Sequence, residues 1–510
     1  MKILYYVFAL CYCLNTVRSL SEVFFVGVFP IHSDSGDVRA PCGGFLMERG
    51  IQRMEAMYHA IDIINANEGV LRNIEIKPLF IDSCDQPSLA VERFVKKALQ
   101  KIRGTSDLES CRNSVLFRDE TEAVDSLYAG VIGGSSSAVS MELGNLLRLF
   151  KVPQISYAST SELLNDPIRY EYFTRTVPPD TQMVDAMLDL ASSLGWSSFS
   201  IIYSEGSYGE SAFEYLKRMT DLRPDDYCLM NHFKVNSRTN FTTIVERLEQ
   251  PIFKSTSVII LFCKTEHISL LLNALPSGHR FVILASEVWG NKQEFLKTEH
   301  MRSVANGALT FVLRAPKVNG FIEYFQGLNS TNNIRNKWFL EYLESTDCSS
   351  QNANSQQCAS RIFHYDDKVP YVMDAVYALA YSLDAIYREK CPLQKGICNE
   401  MRERLGVYLM EQLNNLTYPS VFGTSNLNGN GSVNTGYDIL RYGSKRSYDD
   451  VAIWNRTLHH LKSFPYGSSR CFTRCSTNEI RTPKIGYPKC CYDCKRCREN
   501  EYKANGKIFL

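Results

Sequence analysis

An apolar strand followed by an amphipathic helix, repeated along the first 285 residues, is the feature that most constrains what this chain can become. Residues 23–29 form a continuous apolar run rich in β-branched and aromatic side chains, as expected of a strand covered on both faces. Residues 50–67 then carry Ile51, Met54, Met57, Tyr58, Ala60, Ile61, Ile63 and Ile64 at the spacing of one helical face. The same order returns at 74–81 and 87–101, at 129–132 and 139–150, and at 198–203 and 208–219, with further short apolar strands at 257–262 and 281–285. Strand and helix alternating in this way predict an α/β fold built on mostly parallel sheets.

Ligands of such folds settle at the carboxyl ends of the strands, where loops and helix N-termini converge and backbone N–H groups favour anions. After the strand ending at Ile132 comes Gly133-Gly134-Ser135-Ser136-Ser137, and after the one at 153–157 comes Ala158-Ser159-Thr160-Ser161. Each is small and hydroxyl-rich enough to hold a carboxylate, although spacing alone reads the first more readily as ordinary helix capping by serine. Neither is a phosphate loop of the Gly-Lys-Ser/Thr kind or a G-x-G-x-x-G fingerprint.

Of the 510 residues, 56 are Lys or Arg and 55 Asp or Glu, a formal charge of +1. That balance argues against a nucleic-acid partner or a polybasic membrane surface. Lys2, the apolar stretch 3–14 and the small residues Val17 and Ser19 predict a cleaved signal peptide over residues 1–19; the stretch is shorter than the roughly 20 residues that span a bilayer. A secreted product is therefore expected, and the cysteines have to be read in an oxidising compartment. Seventeen are present, and without Cys11 and Cys13 the remainder is odd, so at least one is unpaired or intermolecular. Six crowd between Cys471 and Cys497, marking the tail as a different module, in which Cys-x2-Cys spacing also permits a zinc site. Glycosylation triplets at Asn240, Asn329, Asn415, Asn430 and Asn455 agree with an extracellular surface.

Longer motifs add to this reading. RGIQRMEAM at 49–57, GVIGGSSS at 130–137, NLLRLF at 145–150, PQISYASTS at 153–161, RTVPPD at 175–180, SEGSYGE at 204–210 and YVMDAVY at 371–377 together resemble the ectodomain of metabotropic glutamate receptors, which are class C G-protein-coupled receptors. The resemblance implies a bilobed Venus-flytrap fold like that of periplasmic binding proteins. One ligand-binding lobe would comprise residues 20–174 and 313–440 and the other 175–312 and 441–466, followed by a partial disulfide-rich domain at 471–510. It also implies a ligand set. Ser137, Thr160 and the backbone at Ala158 would hold an α-carboxylate; Asp180, Tyr208 and Glu287 would surround an α-ammonium; Arg53 and Lys368, with Arg49, would receive a distal carboxylate. Two cations at one end, with hydroxyls and acids at the other, suit a zwitterion bearing an extra negative charge, so L-glutamate or a related acidic amino acid is the expected partner. No cofactor or metal is expected. The chain departs from the pattern at Glu287, where these receptors usually have Asp, and at Val288, where Gly usually follows. The ammonium site is thereby longer by one methylene and its backbone less permissive. Lys292 stands where some relatives have Arg, and a point charge cannot reproduce a bidentate guanidinium.

By the same resemblance the cysteines would pair as Cys42–Cys84, Cys348–Cys358, Cys391–Cys398, Cys228–Cys490, Cys471–Cys491 and Cys475–Cys494. Cys111 would form an intersubunit disulfide and make the protein a homodimer, Cys263 lacks the partner expected at the position of Leu261, and Cys497 is left over. A full-length receptor of this kind would couple to a G protein from the plasma membrane. A secreted binding protein or decoy, and the opening portion of a longer receptor, are the other readings. An enzyme is disfavoured, because no nucleophile–base pair, nucleophile elbow or metal-ligand spacing among the nine histidines is found.

Overall fold

The computed structural model describes residues 21–37, 39–46, 49–103, 126–293, 296–345, 363, 365–392, 396–427, 436–443, 445–462, 466–497, 502–504 and 507–509. The chain divides into two compact units. The first is Met1–Ala158, Ile168–Thr176 and Lys317–Gly429; the second is Ser159–Pro167, Val177–Pro316 and Asn430–Leu510.

In the first unit five strands, β1 (Ser21–Phe29), β2 (Ile74–Asp82), β3 (Ser126–Ile132), β4 (Gln154–Ser156) and β5 (Phe173–Arg175), form a sheet of order β2-β1-β3-β4-β5. Every pairing in it is parallel. Helices α1 (Ile51–Ala66), α2 (Pro87–Arg103) and α3 (Ser137–Leu149) follow strands in the order that the alternation predicts. Val26, Val28, Ile81, Val131, Val139, Leu143 and Leu147 form part of a continuous core between strands and helices. Ile63, counted on the apolar face of α1, is 43% exposed; it lies about 200° around the helix from Ile61, so its turn of the wheel points away from the others. Polar Gln52, Arg53 and Glu55 are buried instead. The Glu55 carboxylate accepts hydrogen bonds from Tyr324 Oη, Asn333 Nδ2 and Asn336 Nδ2, each at 2.6 Å, which satisfies a charge that would otherwise be costly to bury. The long buried helix Val369–Lys390 packs on α1.

The second unit holds an eight-stranded sheet of β6 (Ser198–Ser204), β7 (Cys228–Val235), β8 (Val258–Phe262), β9 (Val282–Ala285), β10 (Leu309–Leu313), β11 (Tyr437–Tyr442), β12 (Tyr448–Trp454) and β13 (Leu458–His459), in the order β13-β12-β11-β10-β9-β8-β6-β7. The pairings from β7 to β10 are parallel and those from β10 to β13 antiparallel. The crossing expected after Leu440 falls inside β11, which pairs along its whole length with β12 in this sheet. Helices α4 (Asp180–Ser193) and α5 (Ser207–Leu222) belong to this unit.

The cysteine-rich segment is fastened to the second unit by backbone and side chain together. Ser197 N–H and Ser198 N–H both donate to Ser469 O, at 2.9 and 3.1 Å, and Trp196 Nε1 donates to Gly467 O at 2.8 Å. A hairpin of Glu479–Pro483 with Tyr492–Arg496 carries the disulfides Cys471–Cys491 and Cys475–Cys494, and Cys228–Cys490 joins it to β7. Around these bonds Met230, Phe253, Phe472 and Tyr492 form a separate apolar cluster. Cys42–Cys84 and Cys391–Cys398 are also bonded, whereas Cys111, Cys348 and Cys358 lie outside the described residues. Cys491 and Cys494, committed to disulfides, are not available as zinc thiolates. Cys263 and Cys497 are free thiols. No helix among the described residues is long and apolar enough to cross a membrane.

Candidate functional site

In the first unit, three of the residues expected at a site, Ser137, Ala158 and Arg53, lie by the carboxyl ends of β3 and β4. Gly133 takes a φ of 133° there, and a Cβ in its place would lie 2.4 Å from the Val28 carbonyl oxygen, so this close approach of loop to strand requires glycine. The chain then enters α3, with Ser136 as the N-cap and Ser137 buried as the first helical residue. Ala158, half-buried after β4, donates its N–H to Ser156 Oγ at 3.3 Å.

Arg53, on α1, is 5% exposed and extends its guanidinium into this region. Its Nη1 donates to Ser135 Oγ at 2.9 Å and its Cζ lies 5.7 Å from the centre of the Tyr157 ring. Its other edge is occupied by Asp366: Nε reaches Oδ2 at 2.7 Å and Nη2 reaches Oδ1 at 3.3 Å. Burial lowers the Arg53 pKa most, but the charge and hydrogen bonding of Asp366, with the charges of Tyr157 and Asp367, together outweigh it and the value is raised. Lys368 is half-buried at the N-cap of the Val369–Lys390 helix; its N–H donates to Asp366 Oδ1 at 2.8 Å and its Nζ stands 5.7 Å from the Tyr371 ring centre. Arg49, half-buried, occupies the turn that leads into α1, one helical turn ahead of Arg53.

In the second unit a group of opposite sign assembles at the ends of different elements. Asp180 is 1% exposed and opens α4, its N–H donating to the carbonyl of buried Thr160 at 2.8 Å. Tyr208 lies in the first turn of α5 and donates from Oη to Ser286 Oγ at 2.8 Å. Glu287 follows β9, and its Oε2, buried from solvent, accepts no hydrogen bond among the described residues. Burial first, then the charges of Glu287 and Asp180, push the Tyr208 hydroxyl well above its ordinary value. Tyr208 therefore remains a neutral donor with an electron-rich ring face, lying in the field of two carboxylates. That combination suits a cation with N–H donors. Lys292 reaches back to Val288 O at 3.0 Å.

Sequence reasoning assigned no role to Asp366, Ser286, Ser156, Tyr157 or Tyr371, which stand beside the expected residues. Of the glycosylation triplets, Asn240, Asn415 and Asn455 are exposed and Asn329 is half-buried, while Asn430 lies outside the described residues. Two other clusters combine three residues of metal-ligating type, His32 with Asp82 and Cys84, and Cys228 with Cys490 and Cys491. Their cysteines are all disulfide-bonded.

Each unit is an α/β layer with polar groups at strand ends, and residues 52–445 match the family described as the receptor family ligand binding region; the chain belongs to that family. Within it the similarity is to metabotropic glutamate receptors. The chain is 31% identical to metabotropic glutamate receptor 8 of Rattus norvegicus and of Homo sapiens over 527 residues, and to metabotropic glutamate receptor 4 of Macaca fascicularis over 529. Each alignment covers 96% of this chain and 56% of the relative, so the chain spans a little over half the length of these receptors.

Proposed function

We propose that this chain binds an amino acid, with L-glutamate or a related acidic amino acid as the ligand class, and that it does so as the extracellular region of a receptor. The observation that carries the reading is the buried Glu287 Oε2, which accepts no hydrogen bond among the described residues, in a group with buried Asp180 and with Tyr208, whose hydroxyl bonds to neighbouring Ser286. An α-ammonium offers the positive charge that both carboxylates attract and the donors that Glu287 Oε2 calls for. In this reading Ser137, Thr160 and the Ala158 backbone take the α-carboxylate, and Arg53, Lys368 and Arg49 the distal end. The domain limits given from the sequence are proposed as the two halves of the binding region, as is pairing of two copies through Cys111. Coupling to a G protein belongs to the same proposal, as a property of a full-length receptor. Binding would act by favouring one conformation over another, since a ligand shifts an equilibrium only through its differential affinity for the two states.

Calorimetric titration of the folded chain with L-glutamate tests this, alongside an Arg53→Ala, Lys368→Ala double variant. Heat from the wild type and its loss in the variant are expected. Equal heats would remove Arg53 and Lys368 from the site, and no heat from either would reject the ligand class.

A further inference from the structure

Two disulfides touch where β7 meets the cysteine-rich segment. Cys228 Sγ, bonded to Cys490, lies 3.5 Å from Cys491 Sγ, which is bonded to Cys471. Met230 Sδ lies against both, 3.6 Å from Cys228 Sγ and 3.1 Å from Cys491 Sγ. Cys228 and Cys491 are fully buried and Cys471 is 2% exposed, whereas Cys490 is half-buried. A dissolved thiol therefore has one entry to this group, the Cys490 sulfur. Thiol–disulfide exchange requires an attacking sulfur next to a disulfide sulfur, and 3.5 Å is already the separation of a near-attack arrangement.

We propose that these four cysteines form an exchangeable pair of disulfides, a thiol-sensitive switch in which a small thiol adds at Cys490 and Cys228 moves its bond to Cys491. The thiolate attacks Cys490 Sγ; a mixed disulfide forms there, the bond to Cys228 breaks, and the Cys228 sulfur leaves with the electron pair. The Cys228 thiolate then attacks Cys491 Sγ, which forms a Cys228–Cys491 bond and expels Cys471 as a thiolate. Cys471 takes up the proton that the small thiol gave up. Disulfides and thiols are equal in number before and after, so the exchange needs no oxidant and no further reductant. Held in contact with Cys491, the Cys228 sulfur has a large advantage over a dissolved thiol in the second step. Burial disfavours a thiolate, but Cys228 and Cys471 are buried alike. Desolvation therefore penalises the sulfur released before the transfer and the one released after it equally, and both pairings populate. The consequence is positional: β7 stays bonded to the hairpin through the neighbouring residue, while the hairpin loses its own link to Cys471.

The folded chain incubated with reduced glutathione without denaturant, quenched with acid and alkylated, tests this by tandem mass spectrometry that fragments between Cys490 and Cys491. Glutathione on Cys490, a Cys228–Cys491 link and alkylated Cys471 are expected. An unchanged map overturns the inference. So does a map in which Cys228 is alkylated while Cys471–Cys491 is intact, because the transfer would not have followed the first attack. Cys490→Ser, prepared without added thiol, gives a second reading. A Cys228–Cys491 link with alkylated Cys471 in part of the molecules is expected, and Cys228 alkylated in all of them would overturn the inference. If this variant does not fold, the glutathione experiment decides.

Discussion

Ser420 Oγ donates a 2.5 Å hydrogen bond to Asp374 Oδ1, joining the short hairpin Tyr418–Ser425 to the second turn of the Val369–Lys390 helix. Ser425 Oγ reaches the other oxygen at 3.2 Å, and Asp374 is fully buried. Burial pushes the carboxyl up to about 6, against the downward pull of the Ser420, Ser425 and Tyr418 hydroxyls.

A pH dependence follows from that position. The folded-state value lies above the ordinary 3.8, so between about pH 4 and pH 6 the folded chain holds a proton that the unfolded chain has released. This group's contribution is most favourable below the window and declines as pH rises through it, by about 3 kcal/mol in all. Asp374→Asn, which cannot ionise, is expected to flatten the fall in stability across that window when denaturation midpoints are compared with wild type. Parallel pH profiles for the two proteins would contradict it.

His32 predicts a loss of stability at higher pH. Its Nδ1 lies 2.7 Å from Asp82 Oδ2 and its Nε2 2.9 Å from Glu341 Oε1, and both nitrogens can donate only in the imidazolium form. Arg93 also approaches Asp82, at 3.4 Å. Burial lowers the His32 pKa, but the hydrogen bonds of Glu341 and Asp82 outweigh it and raise the value above 6.5. A raised value means stability that is fully present below 6.5 and lost as pH climbs through the folded-state value. His32→Gln should therefore destabilise the chain more at pH 6 than at pH 9 by urea denaturation. A cost that does not change with pH would show that the ring acts by packing alone.

The Cys228–Cys490 disulfide closes a separation of 262 residues between β7 and the cysteine-rich segment. Long closures constrain the unfolded chain most, and native disulfides typically contribute about 2–4 kcal/mol. A Cys228→Ser, Cys490→Ser variant should lose stability of about that size while the segment stays docked, since the bonds to Ser469 O and the Phe472–Tyr492 cluster remain. Limited proteolysis after residue 470 distinguishes the outcomes: rapid loss of the tail under native conditions would mean that the disulfide alone holds it.

The layered fold was legible because period and order are local properties. The run at 23–29 and the helical face from Ile51 to Ile64 carry their signals within one or two turns, and β1 and α1 appear where those signals are. Motif resemblance supplied Arg53 and Lys368, 315 positions apart, which no spacing rule could have joined. Asp366 shows where this reading stops. Its signal, two acids immediately before Lys368, is visible in the sequence, but a local pattern cannot say which cation 313 residues away the first of them meets. Ser286 was missed for a similar reason, since its partner Tyr208 lies 78 positions earlier on another element. β11 runs through Leu440 because that strand's membership is fixed by pairing with β10 and β12, which its own composition does not signal.

The most direct test of amino-acid recognition compares L-glutamate with glutarate, which keeps both acids and lacks the α-ammonium, by calorimetry on the folded chain and on Asp180→Asn. Heat with L-glutamate, none with glutarate, and glutamate binding weakened at least about tenfold in Asp180→Asn are predicted. Equal binding of the two acids to the wild type would show that the carboxylates facing Tyr208 recognise no ammonium, and would contradict the account.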